Sequence, residues 1–445
     1  MRLKHIGLGV ISTLVALVVY YVFFGSSQLT HELKAEVDRE LQTLQSHGFA
    51  IEAREAWSDK EHFEIVFDDT EKIADYLKRQ GATLTKEESS ALKGMRIGVD
   101  LTYMKESNSA ISFDLYPTTL PDTFTQGELS DEEKEALAKI HALFDAKTFL
   151  IHVDINSMLN AFRGYMKDIN ETFGEEEEVT MQMKALEFDG EIKNGKITSV
   201  NQRLESFLIK AEDELFIELS DVRSHYRITG PTRYDMRTAY QIKHISLKET
   251  TKRSMMLHNV EAETITIMHS DLVDSEVRSK VETMVMSDEN ATDKVTDLAL
   301  TIKISNFDIK AFEALQEADP TDQKKIDQSV QKIISRGISI EIPNFSAERL
   351  YTHHKEMDGF AINAKIDIDK NLDLAELQTN PMVGISAINA DLNLSLSESL
   401  HTFISQQPQA LIAMMMFQPK EENGEKVYHI TLENGILTVN GVAMQ

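Results

Sequence analysis

The sequence has no cysteine in 445 residues and little glycine or proline, with 19 and 8 of them respectively. The absence of cysteine excludes disulfide bonds, thiol catalysis and cysteine-based metal sites. The scarcity of glycine and proline argues against disordered linkers and against a glycine-rich nucleotide-binding fold.

Basic residues are also in deficit, since 46 Lys and Arg face 73 Asp and Glu and give a formal net charge of −27. A field of this sign opposes binding to nucleic acid and to an anionic membrane surface. We therefore expect no nucleic-acid partner and no electrostatic attachment to lipid headgroups.

Charge is absent altogether from residues 6–24, IGLGVISTLVALVVYYVFF. At about 1.5 Å per residue, a helix of this length spans roughly 28 Å, close to the hydrocarbon thickness of a bilayer. Arg2 and Lys4 precede it, so the positive-inside rule places residues 1–5 in the cytoplasm. We predict a signal anchor that crosses the membrane once.

The anchor prediction implies a periplasmic ectodomain from about residue 28 onward. An exported chain without disulfides is more typical of a bacterial envelope than of the secretory pathway of a higher cell, which indicates a bacterial inner membrane. A cleaved signal peptide is the alternative, with Gly25, Ser26 and Ser27 as the small residues. Such peptides have apolar regions of about 7–15 residues, so retention is favoured.

The remaining patterns predict an α+β ectodomain that is strand-rich, mostly antiparallel and interspersed with short amphipathic helices. We divide it into a mixed part (28–174) and a strand-rich part (179–445), separated by the acidic stretch Gly174–Glu178. A helical apolar stripe covers 28–46. Apolar and polar residues alternate in predicted strands at 49–57, 62–69, 95–104 and 109–117.

Turn and cap residues mark several boundaries. Thr85 and Glu88 form a capping-box pattern, and Asp319 is the predicted N-cap of a later helix. Asn194-Gly195 and Asn434-Gly435 predict hairpin turns. A strand followed by an amphipathic helix is predicted three times, at 149–162, 298–315 and 388–403.

Several of these segments resemble the YdgA-like proteins, which are anchored in the bacterial inner membrane and have a periplasmic domain of unassigned function. The resemblance rests on the N-terminal anchor and on residues 225–247, 305–316 and 434–441. It implies a periplasmic location and self-association as a homodimer, and it carries no catalytic residues. The long antiparallel sheet is more weakly similar to AsmA-like envelope proteins, which shield lipid in a β-groove.

No motif assigns catalytic, cofactor-binding or metal-binding residues. Oxygen donors alternate in residues 367–373 as at the start of an EF-hand loop, but Leu372 and Gln378 replace its glycine and its bidentate glutamate. We therefore expect a strand there. His353 and His354 lack zinc-ligand spacing and are expected in a loop.

Serine motifs are equally incomplete. Ser90 and Lys93 have serine–lysine spacing without its companion elements, and Ser386 lacks the second glycine of a nucleophile elbow. The acidic run Glu175–Glu178 is expected to be a solvated loop. The apolar stretch 410–417 is expected in the core, with a lipid groove or a partner interface as alternatives.

Three functions remain open. The first is a non-enzymatic envelope protein, a scaffold or assembly factor that needs no cofactor. The second is lipid binding or transfer in an apolar β-groove, which requires more inward-facing apolar strand positions than the helices cover. The third is a carboxylate-dependent hydrolase of envelope polymers, for which sequence supplies no geometry.

Overall fold

The structure is a computed structural model of the chain. It describes residues 33–79, 84–104, 109–125, 130–173, 178–211, 215–249, 253–316, 318, 322–407 and 417–444. Among these, no helix is long and apolar enough to cross a membrane. The predicted anchor at 6–24 lies outside the described residues.

The chain divides into two compact units. Unit 1 extends to Glu212 and includes Asp221–Arg223, and unit 2 comprises Asp213–Ser220 and Ser224–Gln445. The predominance of antiparallel strands with short helices confirms the predicted strand-rich, mostly antiparallel α+β fold.

Unit 1 combines helices with one antiparallel sheet. Its helices are α1 (Leu33–Ser46), α2 (Thr70–Arg79), α3 (Lys86–Ala91), α4 (Asp122–Thr125) and α5 (Asp131–Asp145). Its strands are β1 (Phe49–Ala56), β2 (Lys60–Phe67), β3 (Arg96–Tyr103), β4 (Ser109–Thr119), β5 (Ile151–Asn156), β6 (Ala161–Met166), β7 (Ile169–Phe173), β8 (Val179–Lys184), β9 (Leu186–Lys193) and β10 (Lys196–Ala211). They pair in the order β1-β2-β3-β4-β5-β6-β9-β10-β8-β7.

The core of unit 1 lies between one face of this sheet and the helices. Alternate residues of β2 to β5 are buried there, as strand geometry requires, and Phe63 and Phe113 are among the largest. Leu41 and Leu44 bring the predicted apolar stripe of α1 into the same cluster. The predicted capping box before α3 is confirmed, because Thr85 and Glu88 bond each other's backbone N–H groups.

Two expectations for unit 1 need revision. The division predicted at 174–178 falls inside one sheet, since β7 and β8 pair directly with each other on either side of it. The unit predicted as strand and helix at 149–162 is a hairpin of β5 and β6, in which Asn156 accepts hydrogen bonds from the backbone of Asn160 and Ala161. That side chain forms the turn and stops a helix from starting.

Unit 2 is dominated by a long antiparallel meander. Its strands are β11 (Leu215–Ile228, apart from Asp221–Arg223), β12 (Met236–Glu249), β13 (Arg253–His269), β14 (Leu272–Ser287), β15 (Thr292–Asp308), β16 (Ser339–Thr352), β17 (Lys355–Ile368), β18 (Ile388–Ser397), β19 (Lys420–Glu422), β20 (Glu425–Glu433), β21 (Ile436–Val439) and β22 (Val442–Ala443). From β12 to β18 each strand pairs with the next, and β20 then pairs with β18, β19 and β21.

The helices of unit 2 cover the sheet only locally. They are α6 (Ile309–Gln316), α7 (Gln323–Ile334), α8 (Leu374–Thr379), α9 (Pro381–Ser386) and α10 (Glu398–Ser405). The strand–helix units predicted at 298–315 and 388–403 are therefore confirmed as β15–α6 and β18–α10. Helix α7 begins later than predicted, with Asp322 as the N-cap that accepts a hydrogen bond from the Lys325 N–H, and Asp319 lies outside the described residues.

A transverse crease crosses six strands of this sheet. The register places Lys243, Asn259, Glu282, Asp297, Glu348 and Gly359 in one row, where the regular ladder is interrupted. Apolar side chains flank the row three residues apart in each strand. These pairs are Ile242 and Ile245, Leu257 and Val260, Val281 and Met284, Val295 and Leu298, Ala347 and Leu350, and Met357 and Phe360.

Residues three apart in a regular strand point to opposite faces. Across the crease they share a face, because Leu350 and Met357 pack in one cluster with Phe360 and Leu396 from its other side. The alternation of side chains between the two faces of the sheet is therefore offset by one residue at the crease. Asn259 and Asp297 accommodate the slip in the left-handed region, each with φ of 50°.

Candidate functional site

An apolar cavity of about 480 Å³ lies in unit 2, between the sheet and α10. This volume is within the range of roughly 300–1,000 Å³ typical of small-molecule sites. Strands β16, β17, β18 and β20 supply one wall, and the helix supplies Leu400 and Ile404. The lining residues are Phe345, Leu350, Phe360, Ile362, Leu394, Leu396, Leu400, Ile404, Phe417, Tyr428 and Ile430.

Local sequence explains how these side chains converge. Ser397 ends β18 and caps α10, where its hydroxyl accepts a hydrogen bond from the Leu400 N–H, so the chain turns back over the strand it has just left. Phe345 and Phe360 then meet edge to face, with ring centroids 5.1 Å apart. Helix α10 covers only part of the sheet, and the cavity is the space between the helix and the strands.

The cavity wall carries no charge at neutral pH. Its lining includes one polar side chain, Tyr428, whose hydroxyl lies 3.1 Å from His401 Nε2. Burial lowers the pKa of His401 and raises the pKa of Tyr428, so both groups stay neutral. The site favours an uncharged, apolar occupant.

Unit 1 holds a second cluster, of polar side chains on the face of its sheet opposite the core. Ser112 Oγ lies 3.4 Å from His152 Nε2, and Asp114 Oδ1 lies 2.6 Å from Nδ1, in the order of a Ser-His-Asp triad. The same Nε2 is also 3.4 Å from Asp154 Oδ1. His152 therefore bridges two carboxylates, and we assign no nucleophile here.

Asp100 lies beside this cluster and is directly opposite Asp114. Its carboxylate is 2.6 Å from Lys147 Nζ and 2.7 Å from His62 Nδ1. Burial alone would raise the pKa of Asp100, but the hydrogen bonds with Lys147 and His62 outweigh it and lower the pKa. Sequence analysis missed these residues, and their signal was the polar residues at neighbouring outward positions of the three strands, namely Asp100, Thr102, Ser112, Asp114, His152 and Asp154.

We expect Lys147→Met to reduce the free energy of unfolding at pH 7 by about 0.5–1 kcal/mol, since both partners are partly solvated. A carboxylate with a lowered folded pKa stabilises above its ordinary pKa, and this stability is lost as the pH falls through the folded value. The difference from the parent should therefore shrink below about pH 4. Urea denaturation at several pH values measures it. Lys134→Met, which removes an exposed pair with Asp131, should change little at any pH.

The structure does not bring together the candidate site residues that were named from the sequence. His353 and His354 occupy the β16–β17 turn, as expected. Residues 369–373 form a turn after β17 in which Asp373 caps α8, so the strand predicted there ends at Ile368. Among the described residues no cluster of three or more His, Asp or Glu is placed to hold a metal ion.

The serine candidates are also separate. Ser90 lies in α3, and Ser386 ends α9, where its hydroxyl donates to the Val383 carbonyl. Residues 174–177 and 410–416 are outside the described residues, whereas Phe417 lines the cavity. The last residue of the apolar stretch 410–417 therefore reaches the site.

No protein-family model, curated protein or solved structure matches this chain.

Proposed function

We propose that this protein binds a hydrocarbon chain of a lipid in the cavity of unit 2 and acts without catalysis in the bacterial envelope. The observation that carries the proposal is the uncharged apolar lining of a space large enough for a ligand. This favours lipid binding over a scaffold role, because a scaffold needs no such space.

The chemistry of the lining supports hydrocarbon in particular. A peptide or sugar would bring amide or hydroxyl groups into the cavity, and an unpaired polar group in an apolar site costs roughly 1–3 kcal/mol. The Tyr428 hydroxyl is already paired with His401, so it offers little to such a ligand. A hydrocarbon chain has no polar group to satisfy.

The location belongs to the same proposal. Retention of residues 6–24 in the inner membrane would keep both units on the periplasmic side, next to a supply of lipid. Membership of the YdgA-like proteins, which several segments of the sequence resemble, is part of the same proposal.

Binding of cis-parinaric acid, a fluorescent fatty acid, to the purified full-length protein tests the proposal. Leu394→Asp places a carboxylate in the lining, and we expect the Kd to rise by about tenfold to 100-fold. Asn393→Asp is the matched control, because the neighbouring residue faces the other side of β18 and should leave binding unchanged.

A second variant separates binding from folding. Ile404→Trp on α10 fills the cavity without adding charge, so the fold should persist while binding weakens. Equal binding by the parent and both lining variants would contradict the proposal, as would native mass spectrometry that finds no acyl species in gently purified protein.

A further inference from the structure

We propose that the apolar face of β12 to β15 is a second hydrocarbon-binding surface, continuous with the cavity, and that the ligand is a lipid with more than one acyl chain. This inference rests on the proposed function. One acyl chain of the lipid enters the cavity, and the rest of its hydrocarbon lies across the open face of the sheet.

The first observation is an uncharged row that runs from the cavity to β12. Each member is the cross-strand partner of the next, and such partners share a face. The row is Tyr240, Ala262, Ser279, Leu300, Phe345, Ile362, Leu394 and Tyr428. With strands about 4.8 Å apart, it extends about 19 Å from β16 to β12.

The second observation is that the crease preserves this face. The row Ile245, Leu257, Met284, Val295, Leu350 and Met357 lies beyond the crease and is paired residue by residue. Because the alternation slips at the crease, these side chains continue the apolar surface. A strictly regular sheet would have turned them to the other side.

The third observation is that the described residues form no buried cluster over this part of the surface. None of the buried clusters formed by the described residues includes a side chain of β12, β13 or β14. Tyr240 and Val277 on this face are 48% and 38% exposed. Exposed apolar surface of this kind marks a site of contact with a ligand, a membrane or another protein.

The opposite face identifies which side the ligand uses. It carries a ladder in which Arg237 and Arg278 both pair with Glu263, and Lys365 pairs with Glu341. A protein interface has an apolar core and a rim that forms hydrogen bonds, and in the uncharged row only Tyr240, Ser279 and Tyr428 have polar side chains to form them. Hydrocarbon needs none, which is why we commit to lipid.

Photo-crosslinking of the full-length protein in bacterial membranes tests the inference. The photoreactive residue p-benzoylphenylalanine is introduced at Val277 on the open apolar face, at Ile404 in the cavity, and at Arg278 on the charged face as the matched control. We expect about tenfold more lipid adduct at Val277 and at Ile404 than at Arg278, because hydrocarbon partitions to apolar surface.

The outcomes separate the two proposals. Adducts with the mass of a multi-chain lipid at both Val277 and Ile404 support the inference. Adducts at Ile404 alone leave the proposed function standing and overturn the second surface. An adduct at Val277 with another protein, a second copy of this chain or residues 410–416 also overturns it. Adducts at neither position contradict both proposals.

Discussion

Gly359→Ala should destabilise unit 2 by about 3 kcal/mol or more, at the upper end of what overpacking costs. A Cβ atom at this position would lie 1.7 Å from the carbonyl oxygen of Ala347, and a backbone atom cannot move aside as a side-chain end can. The position belongs to the crease, where β16 and β17 approach closely. Chemical denaturation measures this loss in the free energy of unfolding, and the transition is monitored by a signal that reports on unit 2.

The same substitution elsewhere in unit 2 is the control for this result. At Gly384 in α9 the added methyl would meet the flexible end of Leu377, and alanine is the better helix former by about 1 kcal/mol. Gly384→Ala should therefore be close to neutral. Equal stability of the Gly359→Ala variant and the parent would show that the crease relaxes easily.

Phe113→Ala should destabilise unit 1 by about 3–5 kcal/mol, the usual cost of truncating a buried aromatic side chain. Phe113 is 2% exposed and lies in the largest buried cluster, on a central strand. The loss includes both the transfer free energy of the ring and the cavity left behind. Thermal or urea unfolding of the variant measures it.

Trp57→Ala removes an even larger aromatic ring from a side chain that is 53% exposed. Surface substitutions of this kind usually change stability by less than about 0.5 kcal/mol. If the two variants lost similar stability, the core of unit 1 would not lie where the structure places it.

Sequence patterns predicted the first four strands of unit 1 to within two residues at each end, and the strands of unit 2 only in part. Simple alternation holds through β2 to β5, where one face is buried. In unit 2 the alternation changes phase in the middle of 14- to 17-residue strands. A phase change resembles the end of a strand, so alternation alone does not give the length of these strands. The sequence does contain a signal of this phase change, which is the three-residue spacing of apolar side chains that repeats in six strands.

The candidate site was less predictable than the fold. The cavity assembles side chains from Phe345 to Ile430, drawn from strands that are distant in sequence and from one short helix. No single segment has an unusual composition, since a strand that lines a cavity has the same apolar residues as one that packs in a core. Only the amount of helix available to cover the sheet distinguishes the two, and that depends on three-dimensional packing.

The charged ladder of unit 2 has a consequence for aggregation. Long strands with one apolar face are prone to stack face to face, and the paired sheets of amyloid meet through dry faces of this kind. Here Arg237, Glu263 and Arg278 occupy the second face. Two such sheets that met through their apolar faces would place this charged ladder on the outside of the pair, so a third sheet could not add through a dry face.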